Sequence, residues 1–124
     1  MNFNNSVIDW KQVDNVISSS NHILLTTHEN PDGDGLGSEV AMYHHLCDEK
    51  KDVKIINCSI TPSMFDYIKE GGCIETYNES YHLEWLKKCE LVIVFDVGDF
   101  NRTRNVKEVV ERFNIPVMNI DHHP

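Results

Sequence analysis

The chain has 124 residues, of which 40% are hydrophobic and 25% charged, and it carries a formal net charge of −9. That length has room for one domain with one core, and the composition excludes the disordered and fibrous classes. The acidic balance argues against clamping duplex DNA through the overall field, but it leaves room for a local carboxylate cluster that holds cations and, through them, phosphate.

The N-terminus lacks a basic stretch followed by an apolar block, and the apolar runs Ile23 to Leu25 and Leu91 to Phe95 are far short of the roughly 20 residues of a membrane span. A cytoplasmic protein with no membrane partner is expected. Cysteines 47, 58, 73 and 89 form no CxxC pair, and their apolar neighbours predict buried free thiols rather than a disulfide framework.

In chain order, Trp10, Val13, Val16 and Ile17 fall on one face of a helix within residues 9–20. Ile23 to Thr27 is a β-rich run without polar alternation, as a parallel strand covered on both faces requires. Residues 28–38, dense in Pro, Gly and Asp, predict a loop, with Ser38 as helix cap or phosphate donor. A helix is expected from about Leu36, with Leu36, Val40, Tyr43 and Cys47 on one stripe, and Val53 to Asn57 predicts the next strand.

A short helical turn near Pro62 to Lys69, the Gly71-Gly72 break, an extension at Ile74 to Tyr77 and a helix over residues 79–88 follow. Leu91 to Phe95 is the strongest strand and ends at Asp96. Val106, Val109, Val110 and Phe113 mark a last helix, and Ile115 to Ile120 a strand that runs into Asp121-His122-His123. Strands alternating with helices predict an α/β fold, a doubly wound, mostly parallel sheet with helices on both faces.

Three of these strands end directly in acid or imidazole: His28 to Asp34, Asp96, and Asp121 to His123. In open α/β sheets the ligand crevice lies outside the carboxyl ends of the strands, so neighbouring strands would bring these clusters together. So many carboxylates repel one another unless cations intervene, and a mixed carboxylate and imidazole set suits Mn²⁺, Fe²⁺, Co²⁺ or Zn²⁺. Two divalent ions, Mn²⁺ first, would settle that repulsion and activate water for attack on phosphorus. Asp96, alone at its strand end, is the natural bridge, with His28 and Asp32 on one ion and Asp34 and His122 on the other. His22, His44, His45 and His82 have no carboxylate at ligand spacing and read as surface or packing residues.

The His28-x-x-x-Asp32-x-Asp34 motif, Asp96 after its hydrophobic strand, and Asp121-His122-His123 resemble the first three motifs of the DHH phosphoesterases. His28-Glu29-Asn30-Pro31-Asp32-Gly33-Asp34 and Asn119 to Pro124 look most like the oligoribonuclease and pAp-phosphatase branch, with RecJ-type exonucleases the nearest rival. The resemblance implies that His28, Asp32 and Asp96 hold one Mn²⁺, and Asp34, Asp96 and His122 the second. It further implies that Asp121 orients His122 and that His123 contacts the substrate phosphate. Arg102 is a further candidate for that phosphate, against a solvated loop cation.

The family also supplies a fourth-motif Asp and a C-terminal substrate-binding domain, which residues 1–124 do not contain, so little activity is expected of these residues alone. The expected substrates are short RNA or pAp, hydrolysed at phosphate esters. A manganese inorganic pyrophosphatase and a non-catalytic nucleotide-binding module are the alternatives, and the oligomeric state stays open, a homodimer included.

Overall fold

The computed structural model describes residues 8–68 and 73–122. Helix α1 (Trp10–Ser18) opens with Asp9, whose side chain accepts from the Gln12 N–H. It leads into β1 (His22–Thr26), α2 (Gly33–Asp48), β2 (Asp52–Asn57), β3 (Ile74–Thr76), α3 (Glu79–Lys87), β4 (Leu91–Phe95), α4 (Asn105–Arg112) and β5 (Val117–Ile120). Short 3-10 turns stand at Ser63–Phe65 and Phe100–Thr103.

The strands form one five-stranded sheet in the order β3-β2-β1-β4-β5, and every pairing is parallel. Period-2 side chains then bury both faces. Ile23, Leu25, Ile55 and Ile93 point toward α1 and α2, where Val16, Ile17, Val40 and Tyr43 pack on them. Leu24, Ile56, Val92 and Val94 point the other way, toward Leu86 of α3 and Val106, Val109 and Val110 of α4. Truncating a fully buried member such as Leu24 to Ala is worth about 2–5 kcal/mol in transfer and cavity terms. The doubly wound α/β architecture expected from the alternation is the one found.

Strand order reverses between β1 and β4: β2 and β3 lie on one side of β1, β4 and β5 on the other. This switch point splays the flanking connections and opens a crevice at the carboxyl ends of β1 and β4. β5 is the sheet edge, which leaves Val117 and Ile120 exposed. It starts at Val117 rather than Ile115, because Pro116 has no N–H to give and contributes only its carbonyl, 2.9 Å from Val92 N.

Several expectations are corrected. α2 begins at Gly33, not near Leu36, because Asp32 caps it with a side-chain oxygen on Gly35 N, and this cap outweighs the Gly-rich composition. Ser38 is therefore inside the helix and caps nothing. Cys47 is exposed, since Leu46 takes the inward position, and the other three thiols are half-buried and free. Trp10 is 68% exposed because α1 reaches the sheet only through its second half. His82 is buried as packing but has a carboxylate partner, with Nε2 3.0 Å from Glu75, and His45 pairs with Glu49 at 2.9 Å. The Gly71-Gly72 break lies outside the described residues. Among the described residues no helix is long and apolar enough to cross a membrane.

Candidate metal centre

His28 leaves the end of β1 with its ring almost fully buried. Its Nδ1 is 2.6 Å from the Glu29 carbonyl oxygen, which can only accept, so Nδ1 carries the proton and Nε2 presents a lone pair. That lone pair faces Asp32 Oδ2 at 3.7 Å and Asp96 Oδ2 at 3.6 Å, too far for hydrogen bonds.

Asp32 uses its two oxygens differently. Oδ1 accepts from Gly35 N at 3.0 Å and caps α2, while Oδ2 faces His28. The cap bond from Gly35 N–H holds the Asp32 carboxyl below its ordinary range. Asp34 sits in the first turn of α2, so the two carboxylates diverge because one precedes the helix and the other belongs to it, rather than through a tight turn.

Asp96 follows β4 with φ of 61°, in the left-handed region that Asp tolerates better than most residues. Its N–H still donates to Ile120 O at 3.0 Å, so the turn occurs immediately after the last ladder bond. The buried carboxylate is thereby aimed back across the crevice, Oδ2 toward His28 and Oδ1 toward His122, whose Nε2 lies 3.0 Å away.

His122 arrives from the end of β5, where the Asn119 amide donates to Val97 O at 3.1 Å and ties that strand to the loop after β4. Its Nε2 is also 2.9 Å from Asp34 Oδ2. Hydrogen bonds to Asp96 and Asp34 raise the His122 pKa above the usual imidazole value. Asp121 is half-buried beside Gly98 and lines a cavity of about 170 Å³ with Asp34, Ser38, Phe95, Asp96, Ile120 and His122. His123 lies outside the described residues.

Two sets of donors therefore share Asp96: His28, Asp32 and Asp96, and Asp34, Asp96 and His122, with the donor atoms of each set within 4.8 Å of one another. Bonds of about 2.1 Å to a six-coordinate divalent ion put donors about 3 Å apart at adjacent vertices and about 4.2 Å apart at opposite ones. The histidine-to-carboxylate separations, 3.6 and 3.7 Å in the first set and 2.9 and 3.0 Å in the second, lie close to that range, and the mixed oxygen and nitrogen chemistry suits a first-row divalent ion. All five residues named from the sequence as metal ligands come together in one crevice.

Arg102, in the turn Phe100–Thr103, is exposed and places Nη2 3.4 Å from His28 Nδ1. With Nδ1 protonated toward Glu29 O, both atoms are donors and no strong hydrogen bond joins them. Glu29 is held by Arg104 at 2.7 Å, which lowers its pKa. A larger cavity of about 420 Å³ between Tyr77, Glu79 and α4 gathers no such donor set.

Sequence reasoning missed three residues. Glu39 is fully buried, accepts from the Asn57 amide at 2.9 Å, and has its pKa pushed up to about 8 by burial. The available signal was a carboxylate on the apolar stripe of α2, between Leu36 and Val40. Asn57, also fully buried, gave no signal beyond a polar strand end. Phe65 stands against the ligand turn, its Cε1 3.4 Å from where a Cβ on Gly33 would fall.

A crystal structure of an exopolyphosphatase-related protein from Bacteroides fragilis has the same fold, with a TM-score of 0.83 and 21% identity over 91% of this chain. The chain spans about a third of that protein, 34% of its length. No curated protein matches. The family model described as DHH family, N-terminal domain, matches residues 22–124, which include every motif of the crevice and all five strands, and the chain belongs to that family.

Proposed function

We propose that the crevice is a two-metal phosphoesterase centre that takes two Mn²⁺ ions and hydrolyses nucleotide phosphate esters, in short oligoribonucleotides or pAp. The observation that carries this reading is the sharing of Asp96 between two donor sets that each suit a divalent ion. Bound there, two ions supply an activated water and neutralise charge on the phosphoryl group. His28 offers Nε2 because the Glu29 carbonyl holds its other proton. His122 would hold an ion through Nε2 only without the proton there, and loss of that proton would free Asp34 and Asp96, which Nε2 now contacts at 2.9 and 3.0 Å, to hold metal as well.

Asp121 would fix the His122 ring, and His123 and Arg102 would contact the substrate phosphate. A carboxylate and a substrate-binding domain of the kind the family carries elsewhere would complete the second ion's shell and select the nucleotide, so residues 1–124 alone would bind metal and turn over little. A cytoplasmic setting suits such substrates.

Phe65 beside the ligand turn favours a substrate with a base to pack. Likeness to an exopolyphosphatase-related protein favours a phosphoanhydride instead, the bond a pyrophosphatase also cleaves. Calorimetric titration with Mn²⁺ of the wild type and of Asp96→Asn, followed by release of phosphate or nucleotide from pAp, short RNA, pyrophosphate and polyphosphate, tests both. Mn²⁺ binding by the wild type that is lost in Asp96→Asn supports the metal centre, and slow release from pAp or short RNA in preference to pyrophosphate and polyphosphate supports nucleotide esters as its substrates. A folded wild type without Mn²⁺ binding would overturn it, and turnover of pyrophosphate or polyphosphate alone would replace nucleotide esters by anhydrides.

A further inference from the structure

We infer that Glu39, Asn57 and Thr27 form a buried positioning hub that sets the relative placement of His28, Asp34 and Asp96, an inference that rests on the metal reading above. All three side chains are fully buried. The Thr27 N–H can only donate, and it points at Asn57 Oδ1 at 3.1 Å, where Thr26 Oγ1 also arrives at 3.4 Å. That fixes the amide: Nδ2 faces Glu39 Oε1 at 2.9 Å and donates to it. Thr27 Oγ1 in turn donates to the Phe95 carbonyl at 2.7 Å.

One connected set of hydrogen bonds thus joins the carboxyl ends of β1, β2 and β4 to α2. Thr27 immediately precedes His28, Phe95 immediately precedes Asp96, and Glu39 shares its helix with Asp34. α2 meets the hub a second time at Gly35, where a Cβ would fall 2.5 Å from Thr27 Oγ1. The approach is so close that the hub and the ligand turn cannot shift independently.

The hub is a costly way to build a core. Glu39 Oε2 has no hydrogen-bond partner among the described residues, and an apolar residue of the same size would avoid burying a carboxyl. Kept neutral by burial, Glu39 can accept from Asn57 without adding negative charge behind Asp32, Asp34 and Asp96. Stability does not account for such a residue; alignment of the ligands does.

The test compares Glu39→Met, which removes the acceptor at similar volume, Thr27→Val, which removes the hydroxyl, and Glu39→Gln, which keeps the acceptor. Mn²⁺ affinity is measured by calorimetry, and the metal-free proteins are followed by melting, by exchange of the Thr27 amide and by NMR of the His28 ring. Mn²⁺ affinity is expected to fall about tenfold or more in Glu39→Met and Thr27→Val and to stay within about threefold in Glu39→Gln, as for other residues that orient ligands. Faster Thr27 exchange in Glu39→Met and a displaced His28 resonance in both are expected without metal. Folded Glu39→Met or Thr27→Val with wild-type Mn²⁺ affinity and an unmoved His28 ring would overturn the hub, and Thr27→Val decides alone if Glu39→Met does not fold. A wild type that binds no Mn²⁺ ends the metal reading only: the Thr27 amide and His28 ring then decide the hub, moved in support of it and unmoved against it.

Discussion

Replacing Glu39 by Gln should make stability less sensitive to pH, by an amount the structure allows one to work out. The folded chain keeps the Glu39 proton up to about pH 8, whereas a free Glu releases it near 4.5. Between those values the native state binds the extra proton, so unfolding is favoured progressively as pH rises, by about 1.4 kcal/mol for each pH unit. The accumulated penalty is about 3 kcal/mol at pH 7, fully absent below the unfolded value and complete once pH passes the folded one. Gln carries no charge to bury and accepts from Asn57 as the neutral acid does. Its NH₂ takes the place of Oε2, which has no hydrogen-bond partner among the described residues, so any offset is independent of pH. Urea unfolding of metal-free wild type and Glu39→Gln at pH 5, 6, 7 and 8 should give a stability difference that grows in favour of Gln along this slope. A difference that is constant from pH 5 to 8 would mean that Glu39 is ionised in the fold or reached by water, and the reasoning would fail.

Asp96→Asn should abolish Mn²⁺ binding at both sets, while costing the metal-free fold less than Asp96→Ala, because Asn tolerates φ of 61° and Ala does so at roughly 1 kcal/mol; calorimetry and melting separate the two effects. The His122 ring should titrate above the ordinary imidazole value in the metal-free protein and fall back in Asp34→Asn, and Mn²⁺ affinity should rise with pH through that titration because ligation needs the neutral ring; histidine NMR and calorimetry at pH 6 to 8 check both. Gly35→Ala should destabilise by about 1–3 kcal/mol through its clash with Thr27, whereas Gly37→Ala, with open space around its Cβ, should stabilise α2 by about 0.5–1 kcal/mol, as thermal melts can tell.

Much of the fold is legible because Ile23 to Leu25 and Leu91 to Phe95 carry apolar residues on both faces, which only a doubly covered parallel strand uses. The donor set is legible for a related reason: His28, Asp96 and His122 closely follow strand ends, so the sheet brings them to the crevice, while Asp32 and Asp34 come with the turn that opens α2. The start of α2 is not, since its Gly and Asp content argues for a loop until the cap on Gly35 is seen. Cys47 and Leu46 illustrate a second limit, because adjacent positions on a helix compete for one inward direction and periodicity does not choose between them. The Glu39 to Asn57 bond is long-range and depends on the register of β2 against β1, which local pattern does not contain.

His122 meets Asp34 across 88 positions of the chain and Asp96 across 26. Contacts of such separation carry a large loop-closure cost, which the pairing of the intervening strands meets. The crevice therefore depends on the sheet in stages: His28 and Asp32 need only β1 and α2, Asp96 needs β4 paired beside β1, and the second set needs β5 at the edge. A nascent or partly unfolded chain would carry only half a chelate, and full metal uptake would report that the last strand is in place.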